Sequence, residues 1–494
     1  MKSAEQHQLF PLGFPHGGAL STRGAASMLH MAPNNRLAND RVPEKHRRHS
    51  LICNSLTASK RRISWVDASA SDYNVAMKTS AKHMPAQSQR LQNVVIVGGG
   101  ISGLATALAL HRLGIKPLLL EQADHLRTAG ATLLIWTNAW KALEALGVAN
   151  RIRKTCDKLS GLEFFGEDGA SFLCSGFDNI SRDFEVRGVE RKTLLEILKE
   201  SLPDGTAIYD SRVIGIKKLA GGFTEVQCEN GRTIETKVLI GCDGAGSVVR
   251  KWMNMDEPRY VGYTSTRGLG IYPHGHNLGN KFCQILGGGV RAGIVPMDAN
   301  RVYWFVVFNC SGERVTDVEI IRKEALNYVE GWPAMITEAI NRSPLDTLSR
   351  RGISDRWMWP IGGPPLYKTG VTLAGDAMHP MTPNLGQGGC LALEDAVVLA
   401  RELSKALSSS DSETMNCSTE SQLEEIERIE LAFKAYIKER WPRVLSMGVQ
   451  SYLMGALLQL DSKLICSIRN KLLPQILQVD SFAGHTFYDC GTLQ

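Results

Sequence analysis

The sequence predicts an α/β protein: a doubly wound dinucleotide-binding layer, an antiparallel β-sheet inserted into it, and helices at the C-terminal end. Three observations carry that prediction. The run "NVVIVGGGISGLATALALHRLGIKPLLLE", residues 93–121, joins an apolar strand, spaced glycines, a small-residue helix, a second apolar strand and an acid. Two later strands, "KVLIGCDG" and "GVTLAGD", each arrive at an Asp beside a Gly. Between them, residues 262–309 alternate apolar and polar positions in runs separated by Gly and Asn, the period of two that marks strands.

Taken in order, "VVIV" (94–97) and "PLLLE" (117–121) read as strands around a helix at 102–113, the start of a βαβ layer. An amphipathic helix follows around "NAWKALEALG". The segment "GLEFFGEDGASFLC" reads as two short strands turning at Asp168-Gly169. A helix starts at Arg191 in "RKTLLEILKESL", and "RVIGIKKL", "FTEVQCENGRTIE" and "KVLIGCDG" return to strand. "RAGIVPM" and "RVYWFVVFN" belong to the second, antiparallel sheet, and two helices are expected within 317–342. After "GVTLAGD", a Pro-bearing loop leads into a glycine-opened helix with Leu393, Val397, Ala400, Leu403 and Leu407 on one face. The polar tract "SSSDSETMNCSTESQ" reads as a loop, with helices beyond it.

A chain of 494 residues, 43% hydrophobic, suffices for two or three packed units. Its net charge of +6 is concentrated at one end. Residues 1–90 hold thirteen Lys and Arg against five acids, which leaves the remainder slightly acidic and argues against nucleic acid as a partner. The same segment is rich in Ser, Ala, Arg and His and has no apolar secretion core. It reads as an organellar transit peptide and linker, plastid first and mitochondrion second, with a disordered terminus as the plain alternative. Eleven scattered cysteines form no CxxC pair and no His/Cys cluster, so neither a disulfide framework nor a metal site is indicated. No apolar run reaches the roughly 18 to 20 residues that span a bilayer. The run "MGVQSYLMGALLQLDSKLICSIRNKLLPQIL" is apolar enough to cover a cavity, pair two copies or rest on a membrane surface, and plain helix packing accounts for it equally well. Monomer and homodimer both stay open.

Gly98, Gly100 and Gly103 stand as GxGxxG directly after a strand and at the head of a helix. The first allows a tight turn, the second the close approach of a pyrophosphate, the third close packing of helix on strand, while the helix N-terminus supplies N–H donors. Glu121 follows at the end of the second strand. A carboxylate there accepts from a ribose 2′-OH and repels a 2′-phosphate, so FAD or NAD is expected rather than NADP. Alone, Asp243-Gly244 would read as a turn; Gly375-Asp376 repeats its strand-to-Asp logic.

These three segments, in this order and at these separations, resemble the class A (single-component) flavoprotein aromatic hydroxylases and their epoxidase relatives. Closest are the plant FAD-dependent monooxygenases similar to salicylate hydroxylase, and the similarity covers residues 91–494. The resemblance implies an FAD-binding domain of the glutathione-reductase type, discontinuous in sequence (91–160, 191–260 and 351–410). A substrate domain is inserted (a hairpin at 161–190, a sheet at 261–350), a C-terminal helical region spans 411–494, and a transit peptide and linker occupy 1–90. It implies that Asp376 holds the ribityl chain, that the Asp243-Gly244 segment braces FAD and an approaching nicotinamide, that Arg191 reaches the ribose or pyrophosphate, and that Pro383 borders the isoalloxazine ring. Cys390 stands where the family often has Asn or Gln. Reduction of FAD by NADH or NADPH, then delivery of one atom of O2 to a small organic substrate, aromatic or isoprenoid, is the chemistry implied.

The residues agree with that reading. A reduced flavin carries negative charge on its ring, and a helix opened by Gly386, Gly388 and Gly389 offers backbone N–H groups to such charge. Only one dinucleotide fingerprint occurs and no redox cysteine pair, unlike a reductase with a dedicated nicotinamide domain. A reductase or dehydrogenase of the same fold, or a non-enzymatic flavoprotein, remains the alternative. No side chain is required as an acid or base. His379 is either such a group or a loop histidine bonded to backbone; Tyr303, Trp304 and Phe305 alternate in and out of a strand, with core packing the default and a substrate border on one face the alternative; Arg440, Trp441 and Arg443 receive no role.

Overall fold

The computed structural model describes residues 91–126, 132–358, 365–407, 419–476 and 483–493. The targeting segment expected before residue 91, and the polar tract up to residue 418, lie outside them. β1 (Gln92–Val97) sits between β2 (Leu118–Leu120) and β10 (Thr233–Gly241), and its Val94, Val95 and Ile96 are wholly buried. A strand covered on both faces needs this continuous apolar run. Between β1 and β2 runs α1 (Ile101–Arg112). β3 (Thr132–Ile135), α2 (Thr137–Ala145), α3 (Ala149–Arg153), β4 (Gly161–Gly166), β5 (Ser171–Gly176), β6 (Arg187–Glu190), α4 (Arg191–Glu200), β7 (Ala207–Ile208), β8 (Val213–Lys218) and β9 (Thr224–Cys228) lead to β10. After it come α5 (Val248–Trp252), β11 (Arg259–Ile271), β12 (Lys281–Leu286), β13 (Val290–Pro296), β14 (Arg301–Asn309), α6 (Val318–Tyr328), α7 (Ala334–Asn341) and β15 (Ser349–Asp355). β16 (Tyr367–Lys368), β17 (Val371–Leu373), α8 (Gly388–Leu407), α9 (Thr419–Leu458) and α10 (Lys463–Ile476) complete the described elements.

The first sheet has the order β16-β17-β10-β1-β2-β7, with β9 and β8 hanging antiparallel from β10. From β17 to β7 every pairing is parallel, so the C-terminal ends of β1, β10 and β17 lie side by side. The second sheet runs β15-β11-β14-β13-β12-β4-β5. It departs from the expected antiparallel sheet at one place: β4 pairs parallel with β12. The two strands lie far apart in sequence, so no hairpin dictates their direction. The hairpin at Asp168-Gly169 forms as expected, with Gly169 at φ +83°. Two boundaries shift as well. β15 carries this sheet to Asp355, past the division at 350, and β6, inside the 161–190 segment, pairs with β3 in a separate ribbon.

One face of the second sheet packs on α6 and α7. There Trp304, Val306 and Phe308 of β14 meet Ile336 and Ile340, and the Trp304 indole N–H donates to Ser343 Oγ at 2.7 Å. α8 was expected to bury one stripe. Instead every residue from Cys390 to Ala400 is buried, because α1 and α9 both pack against it. No helix among the described residues is long and apolar enough to cross a membrane, although α10 exposes Leu464, Ile465, Ile468 and Leu472. Trp304→Ala should cost about 3 to 5 kcal/mol by emptying the centre of the α6–α7 layer; equilibrium unfolding in urea measures it.

Candidate functional site

The glycine fingerprint turns at the end of β1. Gly98 has φ +106°, and a Cβ there would lie 2.5 Å from the Cys242 carbonyl oxygen, so only glycine fits between β1 and the end of β10. A Cβ on Gly103 would lie 1.9 Å from the Gly98 oxygen, which is how closely α1 sits on the loop. Gly100 behaves oppositely: no atom lies within 4 Å of where its Cβ would be. It precedes a helix whose first turn has no side-chain cap, so the α1 N–H donors open onto space.

Glu121 is 5% exposed and does more than was read from its position. Its Oε2 accepts from the Gly99 N–H at 2.6 Å and its Oε1 from the Ala123 N–H at 3.0 Å, so the carboxylate shapes the glycine loop itself. Asp243 follows β10. Its Oδ2 accepts from Val248 N–H at 2.7 Å at the head of α5, while Oδ1 is buried without a partner. Desolvation pushes its carboxyl up, against the bonds from Ser247 and Val248. Gly244 beside it has φ +77° and open space around it.

The third segment leaves β17 through Gly375, whose N–H donates to Asp395 Oδ2 at 2.9 Å. Asp376 is exposed at its surface, and desolvation by the surrounding protein, with the nearby Asp395 charge, pushes its carboxyl up against His379 and Arg356. Pro383 is also exposed and opens a 3-10 turn, Pro383–Leu385, closed by Gly386 at φ +64°. Gly388 and Gly389 then start α8, and the Cβ position of Gly388 lies 3.9 Å from Asp376 Oδ1. The fingerprint glycines, Asp243, Asp376 and the head of α8 thus gather at the C-terminal ends of adjacent parallel strands, where open α/β sheets bind ligands. Arg191 opens α4 directly after β6, half-buried. The partner of β6, β3, places Leu133 and Leu134 against Gly389 and Gly386. Cys390 is buried, with its thiol toward the Leu134 and Gly386 carbonyls, and burial pushes it up to about 12; it packs as a small apolar residue.

Beneath this cleft lies an ionic lattice that sequence reasoning missed. His379 Nε2 donates to Asp395 Oδ2 at 2.5 Å, and Arg440 Nε donates to Asp395 Oδ1 at 2.8 Å. Arg440 also pairs with Glu394 at 2.6 Å, and Arg443 with Glu394 at 3.1 Å. Asn138 of α2 donates to both Glu394 Oε1 and Gln387 Oε1. Burial opposes ionisation of Asp395, but His379 and Arg440 outweigh it and hold its carboxyl well below the usual range. The His379 ring is therefore bonded to a side-chain carboxylate and not to backbone. The available signal was the pair Glu394-Asp395 inside the otherwise apolar run from Cys390 to Ala400 of α8.

Removing one charge of a buried set leaves its partners uncompensated, so Asp395→Asn should cost about 3 to 5 kcal/mol at neutral pH. Because the folded-state carboxyl is depressed, its stabilisation is complete above the unfolded value of about 4 and is lost as pH falls below it. The gap between variant and parent should therefore narrow between pH 7 and pH 3 in urea unfolding.

Residues 92–426 match the family described as FAD binding domain. The chain is 38% identical to Monooxygenase 2 of Arabidopsis thaliana over 403 residues, 81% of this chain and 98% of that protein. It is 32% identical over 337 residues to the chloroplastic zeaxanthin epoxidase of an Oncidium hybrid cultivar, 63% of this chain and 49% of that one. Klebsiella pneumoniae HpxO, solved with FAD and uric acid, shares the fold at a TM-score of 0.68 and 23% identity, over 81% of this chain and 96% of that chain. The chain therefore belongs to the FAD binding domain family, as one of its FAD-dependent monooxygenases.

Proposed function

We propose that the chain uses NADH or NADPH and O2 to hydroxylate or epoxidise a small aromatic or isoprenoid compound held between the cleft and the second sheet. The observation that carries the reading is the convergence of an exposed but desolvated carboxylate, Asp376, with the backbone of Gly388 and the open loop at Gly100. Such a carboxylate lacks donors, and a polyhydroxylated chain supplies them. In this reading Asp376 receives the ribityl hydroxyls, Gly98, Gly100 and Gly103 pass the pyrophosphate over the head of α1, and Glu121 holds both the loop and the adenosine ribose. Asp243, Gly244 and Arg191 brace the nucleotide, Gly375 turns the chain into Asp376, and Pro383 and Gly386 flank the ring. Bound FAD supplies the redox chemistry, taking reducing equivalents from the nicotinamide and passing them to O2. The N–H groups at the head of α8, opened by Gly388 and Gly389, lend positive potential to charge developing on the ring. No side chain need transfer a proton. The nucleotide layer, discontinuous and of the glutathione-reductase type, carries the second sheet as an inserted substrate domain. The basic, Ser-rich segment of residues 1–90 fits import into plastids, and the open apolar face of α10 fits peripheral contact with a membrane.

Asp376→Ala should weaken FAD retention by about ten- to a hundredfold, the worth of one charge-assisted hydrogen bond; equilibrium dialysis against free FAD measures it. With a compound that accelerates NAD(P)H oxidation, label from 18O2 should enter the product. Label from water, or turnover unchanged without O2, would instead favour the reductase or dehydrogenase alternative.

A further inference from the structure

Nine cysteines lie among the described residues, and Cys174 of the edge strand β5 is the one that is exposed. Register sets its neighbours. Lys281 of β12 lies in one row with Gly161 of β4 and Gly176 of β5, and Cys283, Glu163 and Cys174 form the next row on the same face. The two glycines leave no other side chain in the Lys281 row, so the lysine runs across β4 to the second strand over. Its Nζ donates to Cys174 Sγ at 3.1 Å and to Glu163 Oε2 at 3.2 Å, while Ser171 Oγ donates to Glu163 Oε1 at 2.9 Å. The amine is thus held against the sulfur.

A disulfide is closed to this thiol by geometry. Cys283, the cysteine in its own row, stands two strands away, about 10 Å, beyond the reach of an S–S bond. Desolvation pushes the Cys283 thiol up to about 11 and those of Cys242, Cys390 and Cys490 to about 12, which keeps them unreactive. Cys310 is half-buried and has the Arg350 guanidinium beside it at 3.5 Å, a cation that does not attack sulfur. Cys174 faces solvent on one side and a primary amine on the other, the surroundings in which cysteines meet peroxide. Their contact also governs the amine: Cys174 first, then Glu163, hold the Lys281 ammonium above its ordinary value. Converting the sulfur to a neutral sulfenic acid removes the larger of those causes and frees the amine.

We propose that hydrogen peroxide joins Cys174 to Lys281 by a sulfenamide bond that thiols reverse, fastening the edge strand β5 to β12. In the first step the Cys174 sulfur attacks one peroxide oxygen. An S–O bond forms, the O–O bond breaks, water leaves, and sulfur is oxidised by two electrons to the sulfenic acid as peroxide is reduced. In the second step Lys281 Nζ, its extra proton released to solvent, attacks the same sulfur; the N–S bond forms, the S–O bond breaks, and the hydroxyl leaves as water with an amine proton. One peroxide is consumed and two waters are made. Peroxide is what O2 becomes when two electrons of a reduced flavin reach it and no oxygen atom passes to a substrate. Idle turnover is thus one source of the oxidant, but the chemistry of this site does not depend on the oxygenation proposed above.

The test is peptide mass mapping, without reductant, of the FAD-loaded full chain after treatment with equimolar hydrogen peroxide. A peptide pair joining β5 to β12 should appear at about 2 Da below the summed masses, the loss of two hydrogens, and dithiothreitol should release both peptides unmodified. Lys281→Arg keeps the cation but removes the attacking amine, so the joined pair should be lost while dimedone captures the Cys174 sulfenic acid instead. Cys174→Ser should abolish both signals at this position. A parent chain whose Cys174 stays reduced, or stops at the sulfenic or sulfinic acid with Lys281 unlinked, would overturn the proposal, as would a joined pair that survives Lys281→Arg. The parent result decides the matter even if a variant fails to fold.

Discussion

Asp395 sits on α8 with no solvent exposure and holds three groups from three parts of the chain: the Gly375 N–H at the end of β17, the His379 ring in the following loop, and Arg440 on α9. A buried carboxylate is tolerated only when its lone pairs are filled and its charge is matched, and these partners do both. The consequence is positional. The loop carrying Asp376 is pinned at both ends, by Gly375 and His379, to the helix whose first turn lies opposite it. Glu394 extends the tie to Asn138 of α2, which also donates to Gln387, the residue before Gly388. The cleft is thus shaped by charges that never face it.

The acidic residues divide by whether the protein satisfies them. Asp395, Glu394 and Glu121 have their donors within the chain and act as struts. Asp243 keeps one buried oxygen without a partner, and Asp376 opens to the cleft in surroundings that penalise its charge. Desolvated carboxylates without enough donors raise the energy of the empty protein and fall in energy when hydroxyls arrive.

Asn384 joins the two layers. Its side chain accepts from Arg291 of β13, donates to the Tyr263 hydroxyl of β11 at 3.1 Å, and donates to the Ser451 carbonyl of α9 at 2.8 Å. The turn beginning at Pro383 therefore cannot shift without moving the second sheet and the long helix with it. Rigid support of this kind suits a site that must exclude water around a reactive group.

Most elements, and the strand ends at which the candidate site lies, were legible in the amino-acid order. Strand periodicity, the glycines at 98, 100 and 103, and Asp243 and Asp376 after their strands are local patterns, and local sterics impose them: Gly98 and Gly103 admit no Cβ whatever lies beyond. The fingerprint helix, the Asp168-Gly169 hairpin and the strands of the second sheet were legible for the same reason. Tertiary structure alone decided the partners. Nothing local says that β4 runs parallel to β12, that β6 leaves for β3, that Glu121 folds its own loop, or that His379 and Arg440 meet on one carboxylate. An acid in a buried apolar run announces that it is paired, but the partner is set by which segments pack together across long stretches of chain, and that choice belongs to the whole core.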